Sequence, residues 1–237
     1  MATVLILGGT SGIGEATARA FRARGDEVVI AGRDAQRLRG ALARLGDGVR
    51  GEALDAGDAD AVRTLSAALA PIDVLVLALS GAAGAGAFGE LALDDLRAGF
   101  DGKFWPQVCA LQQALPAMAD DGAIVLVTAG SARMALPGTS GLAAINGALE
   151  AMVGPLAAEL APRRVNAVSP GVIDTPWWDA QGPDVRAATF EAFAQVPAGR
   201  IGKADDVAAA IVALATNGFV TGSVLDCAGG LQLATGP

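Results

Sequence analysis

The run Thr3-Val4-Leu5-Ile6-Leu7 feeds directly into a glycine loop, Gly8-Gly9-Thr10-Ser11-Gly12-Ile13-Gly14, and that loop opens a helical stretch from Glu15 to Arg24. Strand, glycine turn and helix in immediate succession constrain the fold more than any other feature. They place a helix N-terminus at the carboxyl end of a strand, the unit from which parallel α/β sheets are wound. Glycine permits the tight turn and a close backbone approach. The first N–H groups of the helix lack intrahelical partners and lie at the positive end of its dipole. Gly8, Thr10, Ser11, Gly12, Ile13 and Gly14 are therefore expected to form an anion site suited to a pyrophosphate. The spacing is Gly-x-x-x-Gly-x-Gly rather than Gly-x-Gly-x-x-Gly. A glycine loop can also be an ordinary strand-to-helix turn, and it is the strand before and the helix after that favour a bound nucleotide.

The same alternation continues along the chain. Strands are expected at Val28–Ala31, Val49–Leu54, Ile72–Leu79, Ala123–Val127, Val165–Val168 and Ser223–Asp226. Helices are expected at Ala35–Leu45, Ala59–Ala70, Leu91–Met118, Leu142–Leu160 and Asp205–Ala215. Ile72–Leu79 is nearly all apolar, as a strand covered on both faces should be. Right-handed crossovers then give a parallel, doubly wound α/β sheet. No linker, repeat or second core interrupts the pattern, so residues 1–237 are read as a single domain. Ligands in such sheets sit beyond the carboxyl ends of the strands, here Gly8, Gly32, Asp55, Ser80, Thr128 and Ser169.

Composition removes several function classes. The net charge of −8 argues against a general nucleic-acid or anionic-membrane surface. The longest uncharged stretch, Val74 to Gly89, reads as a strand followed by a glycine- and alanine-rich loop rather than a membrane span. The N-terminus enters the first strand without a signal-peptide pattern, which predicts a cytoplasmic protein. Cys109 and Cys227 are too few for a disulfide framework and are expected to act as small hydrophobes. The chain contains no histidine and no tyrosine. A His-based triad, a His-ligated metal and a tyrosine general acid are all excluded.

The end of the second strand bears on cofactor choice. An acid about 20 residues beyond the loop would bind a ribose 2′-hydroxyl, as in NAD sites. Gly32 and Arg33 stand there instead. A guanidinium suits a 2′-phosphate, so NADP(H) is expected over NAD(H). The competing reading is a solvated arginine at a helix start, where positive charge is mildly unfavourable.

These residues together resemble the short-chain dehydrogenase/reductase family in its classical form, over nearly the whole chain. The carriers are Leu7 to Gly14, Ala31-Gly32-Arg33-Asp34, Leu54-Asp55, Asp73-Val74-Leu75-Val76 and the segment Arg164-Val165-Asn166-Ala167-Val168-Ser169-Pro170-Gly171-Val172-Ile173-Asp174-Thr175-Pro176. Arg200-Ile201-Gly202 and Phe219-Val220-Thr221-Gly222 also fit. The resemblance implies a Rossmann sheet of about seven strands in the order 3-2-1-4-5-6-7. It implies a homo-oligomer, tetramer or dimer, built on the long helices and the last strand. It implies that Ile173 and Thr175 hold the nicotinamide end, that Asp55 contacts adenine, and that Ser80, Gly81, Thr128, Asn146, Pro170 and Gly171 line the cofactor. Trp177, Trp178, Phe190 and Phe193 fall in the segment that covers substrate in the family; they suit an apolar or aromatic ligand, or pack against the sheet.

The chain departs from the family at the reacting centre. The family carries Tyr-x-x-x-Lys on the helix after the fifth strand; alignment on Ala148-Leu149-Glu150 puts Leu142 at the Tyr position and Asn146 at the Lys position. The family's helix asparagine is replaced by Lys103, and its serine falls at Ala129 unless Ser131 serves two residues on. Lysine and asparagine thus look exchanged between two helices that line one site. Pro106, three residues beyond Lys103, should kink its helix around Gly102 and Lys103. Lys103 either supplies a cation to the site or is a surface lysine on a long helix; Ser131, Thr139, Ser140 and Asn146 are further polar candidates. The catalytic set expected is Lys103, Ser131 and Asn146, acting on a small carbonyl or alcohol with water in place of tyrosine. A cofactor-binding sensor or structural subunit, and a non-redox isomerase, dehydratase or cyclase, are the alternatives.

Overall fold

The computed structural model describes residues 1–233. The chain runs β1 (Thr3–Leu7), α1 (Gly12–Ala23), β2 (Glu27–Gly32), α2 (Ala35–Leu45), β3 (Val49–Ala53), α3 (Ala59–Leu69), β4 (Ile72–Leu77), α4 (Leu93–Gly99), α5 (Trp105–Ala114) and β5 (Met118–Val127). It continues through α6 (Ser140–Glu159), β6 (Arg164–Pro170), β7 (Ile173–Asp174), α7 (Pro183–Phe193), β8 (Gly202–Lys203), α8 (Ala204–Thr216) and β9 (Val224–Cys227). Seven strands form one sheet in the order β3-β2-β1-β4-β5-β6-β9, and every pairing is parallel. This is the doubly wound order expected; β7 and β8 pair separately as a short parallel ribbon.

The two-residue period of each strand decides which helix it meets. Leu5, Leu7, Leu75, Leu77, Ile124 and Leu126 face one side, packed with Val62 and Leu69 of α3, Leu111 of α5, and Leu149 and Val153 of α6. Val4, Ile6, Val74, Val76, Val125 and Val168 face the other, against Phe21 of α1, Leu38 and Leu45 of α2, and Val207 and Ile211 of α8. Burying each such side chain contributes about 1.5–3 kcal/mol before chain entropy is counted.

Most boundaries shift by one to three residues, and three departures bear on the site. β4 ends at Leu77; Ala78 N still donates to Leu7 O at 2.8 Å, and a glycine- and alanine-rich loop follows. The expected helix over 91–118 is broken: between α4 and α5 it widens into a π-helical segment, Phe100–Phe104, just before Pro106. Proline donates no N–H and crowds the preceding turn, so the irregularity falls where Lys103 sits. The same stretch also ends early, and β5 begins at Met118 with a register shift against β4 between Ile72 and Val74. α6 is long and apolar enough to cross a membrane. In this fold its Ile145, Leu149, Val153 and Ala157 are buried, as in a core helix.

Arg164 and Asn166, in the stretch most typical of the family resemblance, are structural. Arg164 donates to the carbonyls of Leu214, Ala215 and Asn217, which closes the carboxyl end of α8. Asn166 Nδ2 donates to Val220 O at 2.9 Å and its Oδ1 accepts from Ser223 N at 3.0 Å, which fixes the approach to β9.

Candidate functional site

The glycine loop lies at the carboxyl ends of β1 and β4. Gly8 and Gly9 donate to Ala31 O, which ties the loop to β2. A Cβ on Gly8 would lie 2.4 Å from Ala78 O, and one on Gly14 would lie 2.1 Å from Gly8 O, so neither position admits a side chain. α1 begins at Gly12 with extended Ser11 as its N-cap, and the Ser11 side chain makes no capping bond. The leading N–H groups of α1 are thus left for a ligand anion. Thr175 closes over them: its Cβ would be 3.2 Å from a Cβ on Gly12. Thr10 packs on Gly32, which puts Arg33 beside the loop. Arg33 is exposed and, among the described residues, forms no ion pair; Asp34 caps α2 by accepting from Gln36 N and Arg37 N. Asp55 is exposed beyond β3, one carboxylate oxygen accepting from Gly57 N at 2.9 Å. This backbone cradle, with an unpaired guanidinium at its edge, fits a dinucleotide.

The expected catalytic residues lie around the end of β5, Lys103 bonded to Thr128 and Asn146 to Ser131. Lys103 is not a surface residue: it is 9% exposed, and Nζ donates to Thr128 O at 3.1 Å. Burial pushes its ammonium group down to about 8, against the opposing pull of Glu150. The π-helical segment turns Lys103 inward from α4–α5 while Asn146 enters from α6. Asn146 Nδ2 donates to Ser131 Oγ at 3.3 Å and to Leu142 O at 2.9 Å. Its Oδ1 is buried without a protein partner, an unsatisfied acceptor next to Ser131. Leu142 is half-buried on the same helix and offers the site only its carbonyl.

Other expected residues are placed differently. Thr128 is buried, and its hydroxyl is engaged with Glu150 Oε1 at 2.8 Å and Val168 O at 3.2 Å, so it supports the site from below. Gly171 donates to Cys227 O, and a Cβ there would sit 2.9 Å from Ala228 Cα; it packs β6 against β9 rather than meeting a ligand. Pro170 ends β6, and Ile173 is buried in β7. Ser80 is exposed, and Gly81 O accepts from Trp177 Nε1 at 3.2 Å, which links the covering segment to the loop after β4. Thr139 Oγ1 is bonded to Leu136 O, and Ser140 starts α6 in the open. Trp177, Trp178 and Phe190 form successive edge-to-face contacts, with Arg186 over the Phe190 ring. Phe193 stands apart and lines a cavity of about 200 Å³ with Val172, Val196 and Leu231. Cys109 and Cys227 are half-buried rather than enclosed.

Three charged residues beside this site escaped sequence reading. Glu150 accepts from the Thr128 hydroxyl, and Arg133 links it to Asp226 near the end of β9. Glu150 follows Asn146 by one helical turn, the single signal that could have marked it.

The sequence matches a family profile described as Enoyl-(Acyl carrier protein) reductase over residues 8–232. It is 31% identical to human L-xylulose reductase over 238 residues, which covers 96% of this chain and 95% of that protein. Among solved structures, a small-chain dehydrogenase in complex with NADPH superposes with a TM-score of 0.84 at 30% identity, covering 99% of this chain and 100% of that one. A short-chain oxidoreductase from Pseudomonas aeruginosa, described as containing an atypical catalytic center, superposes with a TM-score of 0.88 at 28% identity, covering 99% and 98%. With the sheet order, the glycine cradle and matches that span the fold, the chain belongs to the short-chain dehydrogenase/reductase family.

Proposed function

We propose that this protein is an NADP(H)-dependent oxidoreductase acting on a small carbonyl or alcohol, with Lys103, Ser131 and Asn146 in place of the family's tyrosine and lysine. The observation that carries this reading is the inward, buried ammonium group of Lys103 on the Thr128 carbonyl at the end of β5, three residues before the Ser131 that Asn146 holds. The α1 N-terminus and glycine loop would hold the pyrophosphate, and Arg33 the 2′-phosphate. Asp55 would lie toward adenine, and Gly81, Ile173 and Thr175 toward the nicotinamide end. When bound, the cofactor supplies or accepts a hydride.

The chain's own residues handle the proton and the orientation. A lysine held near pH 8 carries a transferable proton at neutrality. Its Nζ can give that proton to an alkoxide oxygen or receive one from an alcohol. Asn146 Oδ1 accepts from a ligand hydroxyl, and Ser131 Oγ can donate to a carbonyl. Trp177, Trp178 and Phe190 exclude water and favour an apolar substrate. The NADPH-complexed relative supports the cofactor class, and the relative described as an oxidoreductase with an atypical catalytic center supports a non-standard site in this fold. A shallow groove along α4 and the start of α5, lined by Leu93, Leu96, Phe100 and Trp105 with Arg97 and Asp101, suits a homo-oligomer.

The test is a panel of small aldehydes and ketones with NADPH deuterated at the transferable position. Deuterium in the product alcohol, with turnover falling at least tenfold in Lys103→Met, is the expected result. Conversion without deuterium transfer would identify a non-redox isomerase, dehydratase or cyclase. NADPH binding with no conversion across the panel would favour a sensor or structural subunit.

A further inference from the structure

Lys103 is one end of a chain of alternating charges. Its Nζ donates to the carbonyl of Thr128, and the hydroxyl of Thr128 donates to Glu150 Oε1 at 2.8 Å. Thr128 thus faces the ammonium group with its main chain and the carboxylate with its side chain. Glu150 Oε2 lies 3.0 Å from Arg133 Nε, and the Glu150 side chain is 9% exposed. Arg133 then forks onto Asp226, with contacts of 2.5 and 3.2 Å to its two carboxylate oxygens. The order is ammonium, carboxylate, guanidinium, carboxylate, running from the buried site to the open end of β9.

Among the described residues, Glu150 is the charged group that acts on Lys103. On its own segment Lys103 has Asp101, which is exposed. Residues 78–87, the loop after β4, carry no charge, and neither does Ser169 at the end of β6. On α4, Arg97 is paired with Asp94 at the surface. Glu159, the other acid of α6, lies about two and a half turns beyond Glu150 and is exposed. Glu150 is therefore the carboxylate able to favour the charged form of Lys103. Arg133 opposes that effect by pairing with the same carboxylate, and Asp226, paired with Arg133, offsets it.

We propose that Glu150 is a positioning residue for Lys103, and that Arg133 and Asp226 govern how strongly Glu150 holds the Lys103 proton. Through this relay, residues that do not touch Lys103 bias whether the site carries a proton at neutral pH. The proposal rests on Lys103 as the cation of the site.

The chain has two lysines, Lys103 and Lys203, so lysine labelled at Cε gives two NMR signals, and Lys103→Met assigns them. The pH titration of the Lys103 signal is then followed in the intact protein. Glu150→Gln should lower its proton affinity on the order of tenfold. Arg133→Gln should raise it, by less because the guanidinium is more exposed, and Asp226→Asn should lower it slightly. The Lys203 signal should not move. Opposite shifts for the Glu150 and Arg133 variants separate a charge relay from simple loss of structure. Should Glu150→Gln not fold, the surface variant Arg133→Gln tests the proposal by the opposite sign. An unmoved Lys103 midpoint, or shifts of the same sign in the Glu150 and Arg133 variants, would overturn it. The titration reads the relay whether or not a cofactor binds. NADPH affinity and turnover of Lys103→Met read the role of Lys103 itself, so the two failures are distinguishable.

Discussion

At the scale of single residues, burial of Lys103 carries a cost that predicts its own signature. Its proton is held less tightly in the folded chain than in the unfolded one, where the ordinary value is 10.5. The unfolded state therefore binds more protons between about pH 8 and 10.5, and stability rises with pH across that window. Below about pH 8 the penalty is present in full, and above 10.5 it is gone. Lys103→Met should accordingly stabilise the fold by about 1–3 kcal/mol at pH 7, with the gain fading as pH approaches 10.5, as denaturant unfolding at several pH values would measure. A constant difference, or a loss of stability at pH 7, would count against a charged, desolvated Lys103. The same substitution should weaken function, the usual conflict between stability and a working site. Gly14 makes the opposite case. A Cβ at that position would lie 2.1 Å from Gly8 O, so Gly14→Ala must shift backbone. It should lose several kcal/mol of stability or NADPH binding outright; wild-type values for both would show the cradle to be looser than described.

Among the elements, the strands and the first helices were readable because two-residue alternation and turn glycines are local signals. β1 ends at Leu7 as expected, and α2 and α3 start at the expected residues, each capped by an aspartate, Asp34 and Asp58. What could not be read was decided by contacts between distant segments. The π-helical turn at Phe100–Phe104 was foreshadowed by Pro106, but its effect of pointing Lys103 inward depends on the carbonyl of Thr128 twenty-five residues later. α7 escaped notice because none of its residues is buried, so it has no strong apolar stripe to read. The Glu150–Arg133–Asp226 relay joins α6, a short 3₁₀ turn and β9, and sequence spacing gives no hint of it. Arg164 offers a test at this scale. It satisfies three carbonyls at the end of α8, so Arg164→Ala should cost about 1–3 kcal/mol and raise hydrogen exchange at the carboxyl end of α8 and in residues 217–223. Unchanged exchange there would remove Arg164 from its capping role.

For the whole molecule, the parallel sheet does one thing for function: it brings the ends of β1, β2, β4, β5 and β6 to a common edge. The cradle, Arg33, Lys103 and Asn146 come from separate parts of the chain and share that edge because of strand order alone. The family, the fold and the oxidoreductase class follow from this arrangement and its relatives, while the choice of cofactor and the proton donor form the core of the proposal. Titration with NADPH and with NADH, followed by nicotinamide fluorescence in the wild type and in Arg33→Ala, tests that core most directly. NADPH should bind at least about tenfold tighter than NADH in the wild type, and Arg33→Ala should lose that preference with NADH affinity retained. Equal binding of both cofactors, or a preference that survives Arg33→Ala, would contradict the assignment of Arg33. Binding of neither would contradict the nucleotide site as a whole.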